Sequence, residues 1–223
     1  MLATLTLQNR SVNSDASLSS GATISAMATE DRRARERAAR RQLIVDTARN
    51  VAETEGWDAV TTRRLSAEIE YSQPVLYKHF SGMDEIAAAV AIDGFAELAG
   101  LLRAARTAAK TPDEALTQVA RATLDFARDN PAVYDAMFTG RTTLRFAKSD
   151  TPPELVAAFG ELRQAVSAIA TEADTDTNTD TLTEVFWAAL HGLATLGRGG
   201  RLRPDYERER VDALIARFCA ADG

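Results

Sequence analysis

Gln73, Val75, Tyr77, Lys78 and His79 place an amide, a branched apolar group, a phenol, an amine and an imidazole on one short stretch of chain. These side chains suit the surface of a nucleic-acid duplex. A glutamine bonds adenine, a lysine reaches the acceptors of guanine, and a valine packs on a thymine methyl. Phenol, imidazole, hydroxyl and guanidinium groups hold phosphates and set register. Gln73 and Lys78 are therefore expected at or near base edges and Val75 at a thymine methyl. Tyr77, His79, Thr61 and Arg63 are expected on phosphates, with Ser72 and Pro74 sharing that surface.

Such a surface needs rigid elements beneath it. Residues 61–86, TTRRLSAEIEYSQPVLYKHFSGMDEI, read as a helix, a tight turn, a second helix and the start of a third. Leu65, Ile69, Leu76 and Phe80 stand at helical or near-helical spacing and close a small core. Ser72 is placed to N-cap the second helix, and Pro74 falls in its first turn, where a missing N–H costs least. The arrangement is a helix-turn-helix.

The stretch LSAEIEYSQPVLYKHFSGMDEI resembles the helix-turn-helix signature of the TetR family of bacterial transcriptional regulators. Upstream, RRQLIVDTARNVAETEGWDAVTTRR resembles that family's first helix and the turn into its second, so the likeness covers roughly residues 40–90. Three positions depart from the family pattern. Glu70 and Tyr71 stand where a glycine and a small apolar residue are usual, and Glu70 lacks glycine's ease at positive φ. Met83 stands where the family usually has a phosphate-contacting lysine. The expectation is a sound fold with a phosphate grip that is weaker or drawn from elsewhere.

A formal charge of −6 argues by itself against a nucleic-acid protein, but the charge is uneven. Arg32, Arg33, Arg35, Arg37, Arg40 and Arg41 crowd just before the first helix of the signature. A run of this kind is commonly only a solvated helix face; beside a helix-turn-helix, phosphate binding is the better reading, with Arg40 as a candidate contact. Cys219 is the only cysteine, which excludes an internal disulfide and a cysteine zinc site and fits a reducing cytoplasm. His79 and His191 are the only histidines and lie far apart, so no metal is expected. No apolar run is long enough to span a membrane. Residues 1–30 are rich in Ser, Thr, Ala and Asn, lack periodicity and make a poor secretory signal, so they are expected to be disordered; Met27 is an alternative start.

From residue 31 the chain reads as all-α, with a three-helix helix-turn-helix domain over 31–83 and a larger helical domain over 84–221. Helices are expected at about 31–55, 84–109, 112–129, 131–138, 153–173, 182–196 and 204–220, besides the two of the helix-turn-helix. Gly56 and Gly140 serve as stops, and Thr61 and Thr111 as N-caps. The loop before Pro153 carries Arg141, Arg145 and Lys148, and the tract TDTNTDT is expected as a surface loop.

Phe186-Trp187-Ala188-Ala189-Leu190-His191-Gly192 resembles the W-x-x-x-H-G segment of one subgroup of TetR-like C-terminal domains. By that resemblance the last two helices, 181–220, carry homodimerisation. A glycine inside a helix costs about 1 kcal/mol against alanine, so close approach of another group to Gly192 is expected. Trp187 and His191 share a helix face and serve either the core or a ligand pocket. Phe95, Leu98, Phe126, Tyr134, Met137, Phe138 and Phe159 complete a candidate lining for a small apolar or aromatic effector, although any helical bundle needs such residues for its core.

No nucleophile elbow, P-loop or dinucleotide-binding glycine pattern is present, so neither an enzyme nor a cofactor is expected. The expected function is a repressor that releases a palindromic double-stranded operator when an effector shifts the fourth helix. A regulator without a small-molecule ligand, and a helical interaction module with a weakened DNA-reading head, are the alternatives.

Overall fold

Gly56 takes a φ of 85° and a ψ of 162°, an extended conformation open essentially to glycine alone, and closes α1, Asp15–Glu55. The structure, a computed structural model, describes residues 15–138, 144, 146, 148, 150–169 and 176–219, with side chains outside 15–28 and 176–178. After a short 3-10 turn at Trp57–Ala59 come α2, Thr62–Glu68, and α3, Gln73–Leu76. Next are α4, Met83–Ala108; α5, Pro112–Asp129; α6, Pro131–Phe138; and α7, Pro153–Ser167. The chain closes with α8, Asp176–Arg198, and α9, Glu207–Cys219. Among the described residues there is no strand.

The chain forms two compact units, Met1–Leu43 and Ile44–Gly223. In the first, residues 30–40 are exposed on all sides of a helix. In the second, one buried cluster extends from Ile44 to Ile215. The passage from the helix-turn-helix into α4 near residue 83 is therefore not a gap in packing. α4 is the axis of this unit: α5, α6 and α7 pack on it, α8 lies against α5 and α7, and α9 against α5.

Local chemistry explains the helix starts. Thr61 caps α2 by accepting the Arg64 N–H at 3.1 Å. Thr111 accepts the Glu114 N–H at 3.2 Å while Glu114 accepts the Lys110 N–H at 2.8 Å, a reciprocal cap on α5. At the start of α4, Glu85 reaches back to the Ser81 N–H and hydroxyl at 2.7 and 2.9 Å.

Several elements differ from expectation. Helix α1 begins at Asp15, within the stretch read as disordered, because extending an Ala- and Arg-rich helix needs no new nucleus; residues 1–14 lie outside the described residues, as do Gly140, Arg141 and Arg145. Helix α7 ends at Ser167, and 170–173 also lie outside. Most of the TDTNTDT tract belongs to α8. Thr179 and Thr183 are buried there, the Thr183 hydroxyl donates to the Thr179 carbonyl at 2.7 Å, and Asp180 pairs with Arg163. A threonine that bonds back into its own helix carries no unmet polarity. Helix α9 starts at Glu207 rather than near Pro204, after Asp205 at a φ of 62°.

Two contacts fix α4 against its neighbours. A Cβ on Gly94 would stand 2.4 Å from Val133 Cγ1 and 2.9 Å from Met137 Sδ, so only glycine lets α6 come this close. On the opposite side the Glu161 side chain is buried and held by Arg103 and Arg106 of α4, with Nε–O distances of 2.8 and 2.9 Å. Burial pushes its carboxyl up, but the two guanidinium groups more than offset this and hold it below the usual glutamate range.

A folded-state pKa below the unfolded value of about 4.3 contributes stability that is present above that pH and is lost as pH falls through the folded value. Urea titrations from pH 7 to pH 3 should show this loss in the wild type and a shallower one in Glu161→Gln. At pH 7 that variant should be about 1–3 kcal/mol less stable. Substituting Gly94→Ala should cost a similar amount, about 1–3 kcal/mol, through overpacking.

Candidate functional site

The helix-turn-helix is built on Leu65, Ile69, Leu76 and Phe80, all buried as their spacing requires. With that face turned inward, Thr61, Arg63, Ser72, Gln73, Pro74, Tyr77 and Lys78 are exposed, and Val75 and His79 are half-exposed. Tyr77 is 55% exposed, more than packing alone explains for a phenol. Ser72 occupies the N-cap position, but its hydroxyl makes no cap bond; its carbonyl instead accepts the Val75 N–H at 2.9 Å. The Ser72 side chain is exposed together with Gln73. Arg40 is exposed on α1, in the other compact unit.

Two of the departures, Glu70 and Met83, have structural consequences. Glu70 adopts a φ of 56°, a conformation that costs a residue with a Cβ roughly 1–2 kcal/mol. Met83 packs on the core at the start of α4, an apolar use of a position where a lysine amine would face solvent.

The head is not cationic. Between Ile44 and Met83, Arg49, Arg63, Arg64 and Lys78 are outnumbered by Asp46, Glu53, Glu55, Asp58, Glu68 and Glu70. Arg64 is tied to Glu55 and Glu68 at 2.8 and 3.0 Å. Arg49 is tied to Glu97 at 2.8 Å and to the Asn130 amide oxygen at 2.7 Å.

Behind the head, α6 is gripped at its first turn. The two Glu53 carboxylate oxygens each accept a backbone N–H at 3.0 Å, from Ala132 and Val133. The Trp57 indole donates to the Ala132 carbonyl at 2.8 Å. A carboxylate at a helix N-terminus meets unsatisfied donors and the positive end of the dipole together. Each charge-assisted bond is worth about 1.5–3 kcal/mol when shielded from water. None of this was legible in the sequence, because Glu53 and α6 are far apart along the chain and no local pattern joins them.

At the other end of α6, Phe138 enters the wall of a chamber of about 540 Å³. Of the expected lining residues, Phe95, Leu98, Phe138, Phe159 and Trp187 face it, whereas Phe126, Tyr134, Met137 and His191 do not. Phe126 is packed in the core, and Met137 is turned toward Gly94. Tyr134 is buried and its hydroxyl pairs with His191 Nδ1 at 3.1 Å. Burial, with Arg198 nearby, holds His191 below its ordinary range and therefore neutral at pH 7. Tyr134 is raised chiefly by burial and stays protonated. His191 thus makes a partly buried hydrogen bond to a core tyrosine.

Sequence reasoning missed Thr123, Phe146 and Lys148 and the contributions of α7, among them Leu155 and Leu162. Phe138, Phe146 and Trp187 form an aromatic corner, with ring centroids 5.6 Å apart for Phe138–Trp187 and 5.8 Å for Phe146–Trp187. The charged lining residues Lys148, Asp180 and Glu184 are exposed, whereas Phe95, Leu98, Thr123 and Leu162 are buried. Inside, the Thr123 hydroxyl donates to the Val119 carbonyl at 2.9 Å, leaving only acceptor capacity. The chamber is apolar in its depth and charged at its rim.

The face of α8 turned away from the chamber carries Val185 and Leu196, which are 54% and 42% exposed. Gly192 lies on this face, and within the chain nothing stands within 4 Å of a Cβ placed there. The close approach expected at Gly192 is therefore not made by any described part of the chain itself.

Comparison with known proteins agrees with this geometry. A family profile described as "Bacterial regulatory proteins, tetR family" matches residues 44–90, and one described as "Tetracyclin repressor-like, C-terminal domain" matches residues 116–219. The chain is 35% identical over 95 residues to the uncharacterised HTH-type transcriptional regulator YobS of Bacillus subtilis, covering 43% of this chain and 49% of that protein. It therefore spans about half the length of that relative. An uncharacterised HTH-type regulator of Mycobacterium tuberculosis is 28% identical over 161 residues, 72% of this chain and 71% of its own. In fold, a protein of unknown function from Rhodococcus sp. RHA1 matches with a TM-score of 0.67 at 23% identity, over 80% of this chain and 93% of that one. BioQ with its double-stranded DNA operator matches with a TM-score of 0.55 at 20% identity, over 81% and 98%.

Replacing Glu70→Gly should remove the strain at φ 56° and raise stability by about 1 kcal/mol, as read from the midpoint of chemical denaturation. An unchanged or lower midpoint would show that the glutamate is held there by contacts that outweigh its backbone cost.

Proposed function

Since the chain belongs to the TetR family of bacterial regulatory proteins and is a DNA-binding transcriptional regulator, not an enzyme, we propose that it is a cytoplasmic repressor released from its operator by a small apolar effector. The observation that carries this reading is the double role of α6. Its last residue, Phe138, stands in the chamber wall, and its first turn is bound by Glu53 and Trp57, just before the DNA-reading helices.

In the DNA-bound form, α3 lies in the major groove. Gln73 and Lys78 meet base edges, and Val75 a thymine methyl. Tyr77, His79, Thr61, Arg63 and Arg40 hold phosphates, beside Ser72 and Pro74. Residues 31–83 act as the reading part and 84–221 as the effector and dimerisation part. The exposed Val185–Leu196 face, with Gly192 open between them, supports pairing of α8 and α9 with a second copy. A homodimer reads a palindrome with half-sites about 34–36 Å apart or a multiple of that.

The effector has an apolar, preferably aromatic body that fills the corner formed by Phe138, Phe146 and Trp187. It offers a hydrogen-bond donor to Thr123, because that hydroxyl has only acceptor capacity left. Occupying the chamber displaces Phe138 and with it α6 and α4. The head moves with them through Glu53 and Trp57, and the two reading helices lose simultaneous contact with their half-sites. A differential affinity of about 1–3 kcal/mol is enough to relieve repression.

Selection of genomic fragments by the purified protein, followed by binding titrations, tests the reading. One palindromic site should emerge, and Gln73→Ala should weaken it by about 1–3 kcal/mol while relaxing preference at one base pair. Equal binding to the palindrome and to scrambled DNA by the wild type would overturn the assignment of α3 as the reader. Sedimentation should show a dimer, and Val185→Glu should shift it to monomer and abolish palindrome binding. A Val185→Glu protein that stays dimeric would remove the α8 face from the interface.

A further inference from the structure

We propose that the exposed arginine helix upstream of the reading head is a second DNA contact, gripping the phosphate backbone and contributing most of the electrostatic affinity. This rests on the DNA-reading assignment above and adds to it a division of labour: the head selects sequence and the helix holds the duplex.

The head is short of cations. A protein that makes about 6–10 phosphate contacts neutralises that many charges with lysine or arginine. Among the described residues of the head, Arg49 and Arg64 are committed to internal partners, which leaves Arg63 and Lys78. A dimer then brings four cations to the duplex, against an excess of carboxylates in the same segment.

The missing charge lies immediately upstream. Residues 29–43 carry six arginines against Glu30, Asp31 and Glu36. They belong to α1, and the family profile begins only at residue 44. Arg33, Arg35, Arg37 and Arg40 are exposed. Arg32 meets Glu36 at 3.8 Å in an exposed pair that is worth little. Arg33, Arg37 and Arg40 stand at i, i+4, i+7 spacing, which sets them within about 60° of one helix face and spreads them over about 10 Å. That length matches about three phosphate steps along one DNA strand.

The alternative is a solvated face that touches nothing. Two features weigh against it. Exposed arginines that only solubilise a helix are normally matched by acids as i, i+4 pairs, but here Glu36 is the one acid that stands four residues from a member of the Arg33, Arg37 and Arg40 stripe, and residues 29–43 keep six arginines against three acids. The stripe is also covalently joined, a few residues away, to a head that needs cations, so its effective concentration at the bound duplex is high. Adding three arginines per arm raises the dimer's count from four to ten, at the upper end of the usual range.

The test is a salt series with the full-length protein on the selected palindrome and on a scrambled duplex of equal length. Replacing Arg33, Arg37 and Arg40 together by glutamine, a comparable helix former, should lower the slope of log K against log salt by about 2.7 per arm on both DNAs. The preference for the palindrome should be kept. In contrast, Lys78→Ala should change the slope by no more than about 1 per protomer and reduce the preference. Replacing Glu30, Asp31 and Glu36 by their amides should tighten binding to both DNAs, a gain that misfolding cannot produce.

An arginine variant whose slopes match the wild type, or acid-neutralised protein that binds no tighter, overturns the proposal. The outcome also separates from that of the DNA-reading assignment. Wild-type protein that binds both duplexes equally, yet loses slope on arginine replacement, sustains the arm and refutes selective reading. Wild-type protein that binds neither duplex at low salt refutes both.

Discussion

The two hydrogen bonds from the first turn of α6 to Glu53 are the interaction on which the proposed mechanism depends. They use a carboxylate where a helix has donors with no partners of its own, and the Trp57 indole completes the grip on the same turn. Because α6 has only eight residues, the clamp and the chamber wall are the two ends of one rigid rod. Gly94 adds the second condition. With no side chain there, Val133 and Met137 seat directly on α4, so α6 has little freedom to move without carrying α4 along.

This organisation explains why the head and the helices behind it share a single core. The proposed mechanism requires this, because a flexible joint near residue 83 would leave the reading surface untouched by an occupant of the chamber. Instead, Arg49 reaches both Glu97 of α4 and Asn130 at the entrance to α6, so α1 is fastened to both rods. On the far side of α4, Glu161 accepts from Arg103 and Arg106 and ties α7 to the same axis. The charges that could have faced DNA are thereby used for internal ties, which is the physical reason the head is poor in available cations.

Much of the fold was legible in the sequence because its determinants are local. Thr61 and Thr111 announced helix starts, Gly56 announced a stop, and Leu65, Ile69, Leu76 and Phe80 announced the turn by spacing alone. Errors arose where polarity was a misleading guide. The TDTNTDT tract looks unable to pack, yet threonine satisfies its hydroxyl against the preceding turn, and Asp180 finds Arg163 on α7. Aromatic residues were identified as a set but could not be sorted. Tyr134, Phe126 and Met137 differ from Phe138 and Trp187 only in the direction each helix turns them, and that is fixed by long-range packing. Phe146 and Lys148 lie in a segment with no periodic signal. The Glu53 clamp joins residues too distant in sequence for any pattern to reveal.

The most direct test of the clamp is the coupling between chamber and operator with and without it. A compound that binds the wild type but not Trp187→Ala is identified first. Operator affinity is then measured with and without that compound, in the wild type and in Glu53→Gln. Transmission through the clamp predicts a loss of at least about fivefold on adding the compound to the wild type, and nearly equal affinities with and without it in Glu53→Gln. An equal loss in both proteins would contradict this and would place the transmission outside the α6 clamp.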